Sequence, residues 1–123
     1  KPFFASNLSN ILNNQYPDGI GAEVFGFNFL DDLNNKNLSR LLQEHIHLNF
    51  FDYKKNKPIN KKWCDVRTIK CPKKFSRPEI CLDVNTFKDY KFIKNIYETL
   101  YPKKTNFNIV DIINYLDEKN KKK

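Results

Sequence analysis

Residues 80–100, ICLDVNTFKDYKFIKNIYETL, decide the fold class, because a compact apolar run there gives way at once to a strongly signalled helix. The run 80–84 (ICLDV) is short and apolar, which predicts a strand buried on both faces. Thr86 and Asp89 form a capping box, and Phe87, Tyr90, Ile93, Ile96, Tyr97 and Leu100 fall on one helical stripe. Pro102 ends that helix. A strand leading into a helix is the repeating unit of an α/β domain.

Working outward, the apolar run from Phe3 ending in Ser6-Asn7 predicts a buried strand that delivers polar groups at its end. Residues 8–20 are rich in Asn and contain Tyr16-Pro17-Asp18-Gly19, a turn signal, so a loop is expected. Residues 22–27 (AEVFGF) read as a second strand with Glu23 near its start, and Asn28 is placed to cap a short helix through Leu33. From Leu38, with Asn37 as cap, apolar residues at helical spacing predict a helix to about Phe51. Residues 63–70 (WCDVRTIK) alternate like a half-exposed strand. A last helix is expected from Asn108, with Ile109, Ile112, Ile113 and Leu116 on one face.

The chain has 123 residues, 40% of them hydrophobic, which suits one core and not two. Residues 1–118 are expected to form one α/β segment and 119–123 a basic tail. No apolar run approaches the ~20 residues of a membrane helix, so the expectation is a cytoplasmic protein with no membrane partner. With no Met in the sequence, this is expected to be part of a longer chain. Cys64, Cys71 and Cys81 match neither a zinc knuckle nor a redox dipeptide and read as reduced, structural thiols. The net charge of +8 favours an anionic partner, although the lysines of the tail read as a solvated end.

Polar clusters stand where α/β proteins build sites, at strand ends and the loops beyond them. They are Ser6-Asn7, Asp18 with Glu23, Glu44-His45, and Asp83 with Asn85, Thr86 and Asp89. Each also has a plain structural reading: Asn7 and Asp18 can shape turns, and His45 can be a satisfied core histidine. Asp83 and Asn85 alternate on the predicted strand just before a helix start, a placement suited to a phosphate or a hydrated metal ion. Gly19 and Gly21 lead into a strand, not a helix, and so make no dinucleotide fingerprint; no Walker-type loop occurs.

In order, FFASN (3–7), YPDGIGAEVFGF (16–27), QEHIHLNFF (43–51) and RPEICLDVNTFKDYKFIKNIYETLY (77–101) resemble the C-terminal half of sugar-activating cytidylyltransferases. The resemblance is to the spore-coat polysaccharide biosynthesis and acylneuraminate type, and it covers most of the chain. It implies a three-layer α/β/α nucleotide-diphospho-sugar transferase fold. It also implies transfer of CMP from CTP to an acidic or amino sugar with release of pyrophosphate, assisted by Mg2+. Carried over, Asn7, Asp18, Glu23, Glu44 and His45 would line the sugar side, while Asp83 and Asn85 would face the metal. Many relatives place aspartate where this sequence has Asn85, which leaves open whether the metal duty moves to Asp83, weakens or is lost. The family's basic, glycine-containing nucleotide loop is not found in this sequence, so the expected partners include an N-terminal half or a second copy in a homodimer.

Two other readings compete. One is a noncatalytic assembly module whose sheet edge and apolar surface, including Phe50 and Phe51, are covered by a partner. The other, ranked third, is a nucleic-acid-binding module built on residues 54–74 with Trp63 and Phe75 as stacking platforms.

Overall fold

The computed structural model describes residues 3–121, and Lys122 and Lys123 of the expected tail lie outside them. The chain forms a small mixed α/β domain. The strands are β1 (Phe3–Ser6), β2 (Glu23–Phe25), β3 (Phe51–Asp52), β4 (Lys57–Pro58) and β5 (Asp65–Arg67). The helices are α1 (Phe27–Asn34), α2 (Arg40–Glu44), α3 (Phe87–Leu100) and α4 (Ile109–Lys121). Three strands make the main sheet in the order β2-β1-β5, with β1 antiparallel to β2 and parallel to β5. β3 and β4 form a separate two-stranded hairpin.

The core is aromatic. Phe4 on β1 stands opposite Phe25 in one register and Val66 in the other, and its ring stacks on Phe50 at 4.7 Å. Phe50 also stacks on Trp63 at 5.3 Å, and Phe29 of α1 meets both rings edge-on at 5.0 and 5.1 Å. Lys36 closes the outer side of this column with its Nζ 4.3 Å from the Trp63 ring, a cation–π contact. Stacked and edge-on pairs add to the burial of apolar area, so this column joins four chain segments through Phe4, Phe29, Phe50 and Trp63.

Loop 7–22 runs through left-handed backbone at Asn10, Leu12, Asn13 and Gln15, conformations that asparagine tolerates best. Its anchor is Asn14, 2% exposed. The Asn14 amide donates to the Leu8 carbonyl (2.7 Å) and to Thr68 Oγ1 (3.1 Å), its Oδ1 accepts from the Tyr16 N–H, and its carbonyl accepts from the Cys71 N–H. The loop is further tied to the β3–β4 turn, where Asn56 Oδ1 accepts from the Leu12 N–H at 2.9 Å.

Several expectations need correction, beginning with two caps: Asn28 lies inside α1, whose N-cap is Gly26, and α2 begins at Arg40 after Ser39, not at Leu38 after Asn37. Residues 80–84 are not a doubly buried strand: Cys81 makes only an isolated bridge with Asp18, and Val84 is exposed. A strand needs a continuing partner, and Gly19 with φ of 84° turns the chain away one residue after Asp18. The helix from Leu38 to about Phe51 is broken at His45 into the short α2 and a 3-10 turn, Ile46–Asn49. Asn49 makes the break by donating to the Leu42 and Ile46 carbonyls, which turns Phe50 into the aromatic column. The strand expected over 63–70 shrinks to β5, because the Asn60 side chain and carbonyl hold Trp63 in a turn and Thr68 is drawn to Asn14.

The capping box of α3 forms as expected: Thr86 Oγ1 accepts from the Asp89 N–H, and Asp89 Oδ2 accepts from the Thr86 N–H at 2.8 Å. Its stripe is only partly covered. Ile96 packs inward and α4 lies against the helix with Ile113 buried, but Phe87 is 70% exposed and Tyr90 and Tyr97 are also open. α4 continues through Lys119 into the segment expected as a tail. Truncating Phe50 to alanine should cost about 3–5 kcal/mol, whereas Phe87→Ala should stay within about 0.5 kcal/mol; urea unfolding of the two variants measures the contrast.

Candidate functional site

A depression of about 460 Å³ opens where loop 7–22, the 3-10 turn after α2, the end of β3 and the segment before α3 meet. Its chemistry comes from Asp18, His47, Tyr53 and Asp83, with Leu8 and Leu48 as apolar wall. Each group is placed by a backbone feature already described. The bridge between Asp18 and Cys81 is closed by the Asp18 N–H donating to the Ile80 carbonyl (2.9 Å) and the Leu82 N–H donating to the Asp18 carbonyl (3.0 Å), which brings Asp18 and Asp83 together. Gly19 is required there: a Cβ would lie 2.8 Å from Asp83 Oδ1 and 2.8 Å from the Leu82 carbonyl carbon. The break at His45 sends His47 inward, and its Nδ1 lies 3.1 Å from Glu23 Oε1.

At that distance Glu23 supplies the His47 imidazole with both Coulomb attraction and a side-chain hydrogen-bonding partner. The buried Tyr53 hydroxyl has no hydrogen-bond partner among the described residues. Tyr53 is pushed up to about 12, first by burial and then by the Glu23 and Asp18 charges, so its hydroxyl stays protonated and faces both carboxylates. Burial also raises Asp83, with Asp18 adding repulsion. His47 is lowered by burial, a trend that Glu23 opposes and His45 reinforces. At neutral pH His47 is therefore a neutral imidazole beside a carboxylate.

The sequence-predicted residues divide. Asp18 and Asp83 line the depression, and Glu23 supports it through His47. Asn7 lies elsewhere: its Oδ1 accepts from the Ala22 N–H at 2.6 Å, holding β1 to the approach of β2, and it borders a separate groove of about 580 Å³ over Phe3, Val24 and Ile69. Glu44 and His45 are exposed at the end of α2; His45 reaches the site only through its ring, 5.7 Å from that of His47. Asn85 is exposed and serves the start of α3, where its N–H donates to Asp89 Oδ2. His47 and Tyr53 were not anticipated, because the break in the helix at His45 and the packing of the β3–β4 hairpin beside loop 7–22 are set by contacts distant in sequence. Their signal in the sequence was the pair of alternate histidines in HIH followed by Asn49, a residue able to end a helix.

No three His, Cys, Asp or Glu side chains among the described residues converge to hold a metal ion by themselves. Compared with family models, with curated proteins and with solved structures, the chain matches none. No described helix is long and apolar enough to cross a membrane.

The His47 imidazole should titrate below about 6.5 in the folded chain. Glu23→Gln should lower it further and His45→Asn should raise it, as read from ring-proton NMR shifts. Because the unfolded chain takes up that proton first, the contribution of His47 to stability should fall as pH drops through about 6.5.

Proposed function

We propose that this chain is the sugar-binding part of a cytoplasmic cytidylyltransferase of the three-layer α/β/α type, which transfers CMP from CTP to a sugar and releases pyrophosphate. One observation carries the reading. The segments YPDG, EVF, HIHLN and LDVN, spread over residues 16–85 and ordered as in that family, supply Asp18, Glu23, His47 and Asp83 to one small region. Carboxylates with an imidazole and a phenol are the groups that bind and orient hydroxyls.

In the reaction a sugar hydroxyl attacks the α-phosphorus of CTP. A new P–O bond forms as the bond to the bridging oxygen breaks, and pyrophosphate leaves. Asp18 would orient the sugar by accepting hydrogen bonds from its hydroxyls. His47, with Nδ1 turned to Glu23, would keep Nε2 as the nitrogen able to take the hydroxyl proton. Magnesium, held at Asp83, would offset the charge that builds on the phosphates. CTP itself would be held by a partner segment, either an N-terminal half or a second copy.

Phe50 and Phe51, expected on the surface of an assembly module, are buried in the core at 1% exposure each, so that reading rests on other residues. Val24, Ile69 and Phe87 expose 59%, 64% and 70% of their surface, as an assembly module awaiting a partner would. The nucleic-acid reading is weakened, since Trp63 is committed to the aromatic column.

Magnesium-dependent release of pyrophosphate from CTP with a panel of acidic and amino sugars tests the proposal, on this chain alone and joined to a nucleotide-loop segment. Release is expected only in the joined form, and Asp18→Asn should reduce kcat/KM by roughly tenfold or more, the worth of a hydrogen bond to a charged group. A folded joined protein that releases nothing with any sugar would sink the assignment.

A further inference from the structure

The net charge of +8 is not spread over the chain. Residues 54–77 hold ten of the 22 lysines and arginines and one of the 14 aspartates and glutamates, Asp65, so the remainder is close to neutral. The fold decides where these charges stand. Loop 7–22 has no carboxylate before Asp18, and its residues 12–14 are bonded to the basic stretch on two sides. On one side Asn56, in the β3–β4 turn, accepts from the Leu12 N–H at 2.9 Å and donates to Asn13 Oδ1 at 2.6 Å. On the other, Asn14 donates to Thr68 Oγ1 at 3.1 Å and its carbonyl accepts from the Cys71 N–H at 2.8 Å. With Cα steps of about 3.8 Å and hydrogen bonds of about 3 Å, Asn56 and Cys71 are held within roughly 20 Å of each other.

Lys54, Lys55 and Lys57 flank Asn56, and Lys70, Lys73 and Lys74 flank Cys71. All six are exposed. Lys55 lies 3.6 Å from Asp52, and the other five have no ion-pair partner among the described residues. Ammonium groups gathered this closely repel one another, and a polyanion relieves that repulsion while releasing its own counterions.

Two features select the polyanion. All six residues are lysines, point charges without the planar fork that grips one phosphate or carboxylate through two bonds, so they suit a closely repeated charge. A nucleic-acid duplex presents one charge per about 1.7 Å of its axis, which sets several phosphates against a surface of this width. Neither aromatic ring of the basic stretch is an open platform for bases: Trp63 belongs to the aromatic column, and Lys74 Nζ lies 4.9 Å from the centre of the Phe75 ring. We infer that residues 12–14 and the lysines on either side of them form a docking surface for the phosphodiester backbone of duplex nucleic acid, without regard to base sequence. This surface differs from the base-stacking one expected of residues 54–74, and it stands independently of the sugar-activation reading.

Fluorescence anisotropy of the wild-type chain with labelled DNA and RNA duplexes of about 20 bp tests the inference. Both duplexes should bind, with log K falling linearly against log salt at a slope of about −3 to −5, as expected when most of six lysines meet phosphates. Replacing the second group together, Lys70→Gln, Lys73→Gln and Lys74→Gln, should flatten that slope by about 2–3, roughly one for each lysine. The same loss of charge on α3, Lys88→Gln, Lys91→Gln and Lys94→Gln, should leave the slope unchanged, with both variants checked for native circular dichroism. Absence of salt-dependent binding to the duplexes, or equal flattening by the α3 substitutions, would overturn the surface. A single strand bound at least about tenfold more tightly than the duplex would reveal base stacking and overturn the backbone contact. Hyaluronan, a sparsely charged carboxylate polysaccharide, competing as well as unlabelled duplex would overturn the assignment to nucleic acid.

Discussion

The placement of Phe50 is the constraint on which the rest depends. Its ring is held between Phe4 of the central strand and Trp63 of the turn before β5, with Phe29 of α1 edge-on. To reach that position the chain must leave α2 early, and the residues between α2 and β3 are thereby forced into a tight 3-10 turn. His47 sits in that turn, so its approach to Glu23 follows from packing an aromatic ring three residues further along the chain. The site is a by-product of how the core closes, and its geometry is as firm as that closure.

The legible parts of the sequence were those governed by local chemistry. The capping box of α3 is decided by Thr86 and Asp89 alone, and α4 by its own periodicity and Asn108, whose Oδ1 accepts from the Val110 N–H. Asp18 and Asp83 could be singled out because a Pro-Asp-Gly turn and a strand-like run preceding a helix are local signals. What escaped was decided at a distance. The end of α2 depends on Asn49 reaching back to two carbonyls, and Tyr53 enters the site because the β3–β4 hairpin is packed beside loop 7–22. The run at 80–84 had strand composition and lacked only a neighbour, which no property of those residues could reveal.

Asparagines do much of this distant work. Asn14, Asn49, Asn56 and Asn60 each carry both a donor and an acceptor on a short stem, and each satisfies backbone groups in loops, turns or helix ends. A sheet of three short strands has few ladder bonds, so side-chain amides take over the duty of fixing loops. An asparagine-rich stretch in this chain is thus a record of irregular backbone that is ordered.

Asn14 carries this furthest. Its buried side chain and carbonyl join Leu8, Tyr16, Thr68 and Cys71, and none of these bonds can open singly without leaving a buried amide or carbonyl unsatisfied. The long loop and the 68–71 segment must therefore release as one cooperative unit, and do not fray residue by residue. Since Asp18 and Leu8 ride on that unit, the rim of the depression is held by the same bonds that tie loop 7–22 to the 68–71 segment.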